Sequence, residues 1–528
     1  MVADPVPSRN RFDWHPDPKL LDYGRADEAR AALRAAAVGT WDAALEYLYD
    51  HAFVRGTGEP AGYAELRRIF YGDRGGPGPA PSDPTAWTDI LETWRTRLAP
   101  HLMNAYHPRT WGYFTPPPLM ASVLGETLAQ VAHQGVDVWH AGPAGAFVEE
   151  EVVRWLCDLV GYTSGSFGLL TSGGVMANFI ALATARDVQL RRLRGLDRPP
   201  RGAALEGARV YASDQAHFSV GRALDELGFP PETLVIVASD GAFRLHGDPV
   251  TKAIAQDRAA GLTPFAIAAV AGSTNTGSVD RVGELANVAA REDLWLHVDA
   301  AYGAGARLSA SAARRVPDLE RANSVTVDPH KWMFQAYDIG GLVVRDGRLL
   351  EETFGSRRPE YYRGGEATAA SAERQSDDDH GDAGQLNFYK LGFEGTRRWR
   401  ALKLWLSWQH LGTSGFGRLI DMNVALAAYL ARRVNESDDF EALPTEPELS
   451  VVCFRHLPGG RAAALRLDPN TLDAHEDRLQ AALEASGDGW LSTTRLRGAT
   501  YLRAGIMNPM STEADVDRLL ATLRSLAG

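Results

Sequence analysis

Between Asp27 and Tyr71, apolar residues recur at helical spacing in runs such as AALRAAAVGTWDAALEYLYDHAF, which predicts an N-terminal helical segment. The Gly/Pro-rich stretch GDRGGPGPAPSDP cannot continue that pattern and marks a linker. From about His101 the pattern changes. Short apolar runs (GSFGLLTSGG, ARVYAS, TLVIVAS, FAIAAVAGST, LWLHVDAAYG, NSVTVDPHKW and GGLVVRD) alternate with amphipathic stretches such as ANFIALATARDVQLRRL. Apolar strands alternating with helices predict an α/β domain with a mostly parallel central sheet.

Between Phe354 and Phe388 the chain turns polar and Gly-rich, with no hydrophobic periodicity to bury, which predicts disorder or a mobile functional loop. The helical run TRRWRALKLWLSWQHLG follows. Residues from about Phe416 to Gly528 then mix helices with short strands such as ELSVVCFRHL. The expected organisation is a helical segment and linker over 1–100, a large domain over 101–410 that includes the 354–388 loop, and a smaller C-terminal α+β domain over 411–528.

Composition narrows the function classes. With 45% hydrophobic and 23% charged residues, the 528-residue chain has the make-up of a soluble globular protein. Its formal net charge of -12 argues against a nucleic-acid partner, which needs a surplus of Lys and Arg. The two cysteines, Cys157 and Cys453, sit in apolar runs and predict buried thiols in a reducing cytoplasm, with no disulfide framework and no metal cluster. The start MVADPVPSRN lacks the basic and apolar regions of a signal peptide. No apolar stretch reaches the ~20 residues of a membrane span. The expectation is a cytoplasmic protein acting on a small molecule, with no membrane or metal involved.

The chemistry-bearing residues fall in a definite order. Asp328-Pro329-His330-Lys331-Trp332 ends an apolar strand, where a lysine among apolar neighbours is a competent imine-forming amine. Upstream, Leu296-His297-Val298-Asp299-Ala300-Ala301 ends another strand in a carboxylate, suited to keeping a ring nitrogen protonated through a charge-assisted hydrogen bond. Thr171-Ser172-Gly173-Gly174-Val175-Met176-Ala177-Asn178 joins a strand to a helix, where glycines let backbone N–H groups and the helix dipole approach a phosphate. His217 follows the strand ARVYAS and could lie flat against a planar ring. Ala271-Gly272-Ser273-Thr274-Asn275 offers hydroxyl and amide donors beside it. An imine-forming lysine, a ring-nitrogen carboxylate and a phosphate turn together describe a site for pyridoxal 5'-phosphate.

The series TSGGVMAN, SDQAHFS, AGSTNTGSVD, LHVDAAYGA and VTVDPHKW resembles the group II pyridoxal-phosphate-dependent decarboxylases, whose members act on aromatic amino acids, tyrosine, histidine, glutamate and diaminobutyrate. The resemblance spans roughly residues 101–410. It implies the type I, aspartate-aminotransferase-like fold, a homodimer with active sites at the subunit interface, and decarboxylation of an L-amino acid to the amine and CO2. By position, Lys331 would be the Schiff-base lysine, Asp299 the partner of the pyridine nitrogen, and His217 the stacking residue. Ala301 would pack under the ring, Gly174 and the Val175 backbone would approach the phosphate, and Asn275 and His330 would lie near the cofactor. A tyrosine on the loop after the lysine returns a proton to the α-carbon in this family; Tyr361 matches it, with Tyr362 the alternative. The segment His107–Pro117 resembles the substrate side, where Trp111, Tyr113 and Phe114 suggest an apolar wall for an aromatic or apolar side chain. Acidic or diamino-acid decarboxylation, aldehyde synthesis and transamination on the same scaffold are the alternatives. Two departures stand out: Val175 replaces a frequent serine of the phosphate turn, and Phe218 makes the wall beside His217 more apolar.

Overall fold

The computed structural model describes residues 27–57, 62–355 and 385–528. The chain divides into two units, residues 1–110 with 481–490 and residues 111–480 with 491–528. Within the first, the described residues form the helices Asp27–Glu46, Tyr63–Tyr71 and Trp87–Thr93. The Asn104 side-chain amide ties its loops together, donating to the carbonyls of Ala52 at 2.7 Å and Gly56 at 3.1 Å.

The second unit is built on seven strands: β1 Phe167–Thr171, β2 Ala208–Ser213, β3 Leu234–Val237, β4 Thr263–Val270, β5 Trp295–Asp299, β6 Ser324–Val327 and β7 Gly340–Val344. They lie in the order β1-β7-β6-β5-β4-β2-β3. All pairs from β3 to β6 are parallel, and β7 is antiparallel to both its neighbours. β1 therefore runs in the same direction as β4, β5 and β6, and the turns after β1, β2, β4, β5 and β6 all open on one edge. In an α/β sheet that edge is where ligands bind.

Burial on both faces explains the near-continuous apolar runs. Ile267 and Ala269 of β4, with Leu296 and Val298 of β5, enter the core on one face. Ala266, Ala268 and Trp295 enter the core on the other. A second, antiparallel sheet follows, with β8 Phe440–Ala442, β9 Val451–His456, β10 Ser492–Leu496 and β11 Ala499–Gly505 in the order β10-β11-β9-β8. The fold is the α/β architecture with a smaller C-terminal α+β part. The helix Ala401–Glu436 contacts helices Met120–Ala132 and Pro143–Val160 and also β8 and β9, so one element braces both sheets. It is interrupted at Gly412, whose backbone (φ 63°, ψ 166°) is unfavourable for a side-chain-bearing residue. No described helix is long and apolar enough to cross a membrane.

One buried ion pair pins the β1 edge. Glu149 and Arg397 are nearly or wholly inaccessible; Arg397 donates to the Glu149 carboxylate and to the carbonyls of Val136 and Leu170, both at 2.7 Å. Glu149 Oε1 also accepts the Leu170 N–H at 3.0 Å. Removing one partner strands the other charge in the core, so Arg397→Met should destabilise the protein by about 3–5 kcal/mol. A large fall in the urea midpoint is expected, and an unchanged midpoint would contradict this reading.

Candidate active site

The lysine turn and the glycine turn meet on one carboxylate. Lys331 follows β6, and its Nζ lies 3.3 Å from Asp328 Oδ2. The same oxygen accepts the Gly174 N–H at 3.0 Å and lies 3.6 Å from His330 Nε2. The backbone must come very close here. A Cβ on Gly340, at the start of β7, would stand 2.5 Å from the Gly173 Cα and 2.7 Å from Asp328 Oδ1. One on Gly174 would stand 2.9 Å from Asp328 Oδ2 and 3.3 Å from the Ala301 Cβ. Close approach is thus the physical reason for glycine at these positions. Val175, next in the helix Gly174–Ala185, presents an exposed side chain.

Asp299 ends β5. Its Oδ1 accepts the Ala301 N–H at 3.1 Å and its Oδ2 accepts Asn178 Nδ2 at 2.8 Å. Asn178 also reaches Ser219 Oγ at 2.8 Å, and Ser219 Oγ lies 2.7 Å from His217 Nδ1. Asp299 and His217 are thereby joined through two residues to which sequence reasoning gave no role. His217 caps the helix Phe218–Glu226, and the Phe218 ring sits 4.2 Å from its own. Burial pulls the His217 pKa down, against the opposing pull of Asp299. His330 is likewise shifted down by burial and lies 5.0 Å, ring to ring, from Tyr337.

The three aromatic candidates separate. Phe114 is 8% exposed and stacks on Tyr302 at 4.3 Å, which in turn stacks on Trp332 at 4.8 Å. This pile fixes the Phe114 ring 5.9 Å from Lys331 Nζ. Tyr113 is 62% exposed. Trp111 is 0% exposed, with its indole N–H bonded to Ser511 Oγ at 2.9 Å. The Asn275 amide is engaged by Gln215 Oε1 at 3.2 Å and the Thr494 hydroxyl at 3.0 Å. Tyr361 and Tyr362 lie outside the described residues.

Arg503 was not singled out from sequence. It comes from β11, donates to the Thr274 and Asn275 carbonyls at 2.7 Å and 3.2 Å, and stands 4.6 Å from the Phe114 ring centroid. Its Nη2 is buried without a hydrogen-bond partner among the described residues. Such a donor carries a desolvation penalty until an acceptor arrives.

The pyridoxal-dependent decarboxylase conserved domain matches residues 71–457. The chain belongs to this family. The decarboxylase is 32% identical to an aromatic-L-amino-acid decarboxylase of Bacillus atrophaeus, over 84% of this chain and 86% of the relative. It is 29% identical to an L-2,4-diaminobutyrate decarboxylase of Rhizobium meliloti, over 81% and 79%. The crystal structure of Oryza sativa TDC with PLP and tryptamine shares its fold, with a TM-score of 0.82, 24% identity, and coverage of 96% and 98%. The decarboxylase is a carboxy-lyase that uses pyridoxal phosphate. Its residues fit that group, with an amine at Lys331, a held carboxylate at Asp299 and glycines too crowded for any Cβ at the helix start.

Because Gly340 and Gly173 leave no room for a methyl group, Gly340→Ala should displace the glycine turn. Pyridoxal phosphate affinity is expected to fall about tenfold, roughly 1.4 kcal/mol. At Gly341 an added Cβ meets nothing nearer than 3.4 Å, so Gly341→Ala should bind normally in the same fluorescence titration.

Proposed function

We propose that this decarboxylase acts on an L-amino acid with an aromatic or otherwise apolar side chain, releasing the amine and CO2. The observation that carries the reading is the Phe114 ring, locked by stacking on Tyr302 and held 5.9 Å from Lys331 Nζ. An apolar face fixed there rewards an apolar side chain. Phe218 adds a second such face beside His217, and the 32%-identical relative is named for aromatic substrates.

In this reading Lys331 would hold the cofactor through its amine, Asp299 would keep the ring nitrogen protonated, and His217 and Ala301 would pack against the ring. The backbone of Gly174 and Val175, at a helix N-terminus, would bind the phosphate. Asn275 and His330 would lie near the cofactor. When bound, the cofactor supplies an electron-accepting ring that stabilises negative charge at the substrate α-carbon. Arg503 Nη2 offers the substrate carboxylate a charge-assisted bond, which orients the group to be lost. Tyr361 is the proposed proton donor to the α-carbon.

Assayed against the common amino acids, ornithine and diaminobutyrate, the enzyme should turn over aromatic substrates fastest, with amine and CO2 in equal amounts and no hydrogen peroxide. Lys331→Ala should lower turnover by about 10³-fold or more and remove the near-visible absorbance of the reconstituted enzyme. Preference for aspartate or diaminobutyrate would overturn the substrate assignment, and peroxide release would overturn simple decarboxylation.

The proposed assembly is a homodimer. On helix Met120–Ala132 the side chains of Met120, Leu124, Leu128 and Val131 form one exposed apolar stripe, with Val131 82% exposed. A stripe at that spacing is a helix face that a second subunit would bury. Sedimentation should give twice the 57.4 kDa chain mass, falling to the monomer in Leu128→Glu/Val131→Glu. A monomeric native protein would contradict it.

A further inference from the structure

A chain of buried hydrogen bonds runs beneath the site, and its two fixed ends give it a direction. Trp295 Nε1 can only donate, and it lies 3.0 Å from Ser324 Oγ. Ser324 therefore accepts there and has its own hydrogen for His297 Nδ1, 2.9 Å away. Burial pushes His297 down to about 4 despite the nearby Asp299, so the ring is neutral near pH 7 and carries its proton on Nε2. That N–H meets Asn178 Oδ1 at 3.0 Å, which also accepts the Thr326 hydroxyl at 2.6 Å. The amide cannot be reversed, because Nδ2 faces Asp299 Oδ2, an acceptor, at 2.8 Å. The other amide hydrogen goes to Ser219 Oγ at 2.8 Å. Ser219 is left with one hydrogen, and His217 Nδ1 lies 2.7 Å from it. The Ser219 backbone N–H points to the same nitrogen at 3.4 Å.

We infer that Asn178 and Ser219 are positioning residues that hold His217 as the Nε2–H tautomer, so that neither ring nitrogen is available to act as a base. Nδ1 is filled by two donors from Ser219, and Nε2, which takes no partner among the described residues, carries a hydrogen. His217 can give a hydrogen bond to whatever lies against it and cannot remove a proton from an α-carbon. The inference rests on the proposed place of His217 against the cofactor; the tautomer itself belongs to the protein with or without it.

The test is 15N NMR of histidine-labelled protein, apo and reconstituted, with the His217 signals identified by their loss in His217→Gln. A pyridine-type Nδ1 and a pyrrole-type Nε2 are expected in both forms. An Nδ1–H tautomer or a protonated ring at neutral pH would overturn the inference, even if no Ser219 variant folds. Ser219→Ala removes the hydroxyl hydrogen that Nδ1 accepts, so the preference for the Nε2–H tautomer should weaken in the same 15N spectrum, and Ser219→Thr should restore it. The charged groups around His217, namely Asp299, Asp328, Lys331 and Arg222, are unaltered by either change. An unchanged tautomer ratio in Ser219→Ala would refute the relay, whichever amino acid proves to be the substrate.

Discussion

The parallel register between β5 and β6 is the constraint on which the site depends. His297 pairs with Ser324, Val298 with Val325, and Asp299 with Thr326. Since side chains alternate along a strand, a slip of one residue would send Asp299 and His297 to the opposite face and carry Val298 into their place. The hydrophobic core enforces the register, because Val298 and Val325 are buried on one side of the sheet while Trp295 is buried on the other. The energy that sets the chemistry is thus mostly apolar burial remote from it. The polar groups are carried into position by strands that could not lie otherwise.

A second consequence concerns how few residues connect separate turns. Asp328 joins the lysine turn to the glycine turn, Asn178 joins the end of β5 to the start of helix Phe218–Glu226, and Tyr302 joins Phe114 to Trp332. Each link spans more than one loop, so the turns after β1, β2, β5 and β6 behave as a single preorganised surface. Preorganisation of that kind removes a reorganisation cost at the moment of reaction.

Much of this was legible in the sequence, for reasons that differ by residue. The strands showed as apolar runs because both faces of the central sheet are buried, and the cofactor residues showed because they sit at strand ends where the pattern breaks. Asn178 stood at the end of a quoted motif, but its role depends on Thr326, His297, Asp299 and Ser219, which no local pattern relates to it. Arg503 lies in an apolar strand, and only the packing of β11 on the turn after β4 brings it to Phe114. Trp111 and Phe114 are three residues apart with the same aromatic character; one packs into the core and the other beside Lys331, a difference that periodicity does not encode.

The antiparallel placement of β7 bears on how the protein is made. β1 finds its sheet partner only in β7, which emerges about 170 residues later. At ordinary rates of synthesis that is a delay of roughly 10–35 s. During it β1 and the glycine turn that follows lack the strand they join in the described sheet. The contact between Gly173 and Gly340 is made only when this gap closes, so the cofactor cradle is among the last parts of the central sheet to be completed, and a ribosome-bound chain that stops short of β7 cannot possess it.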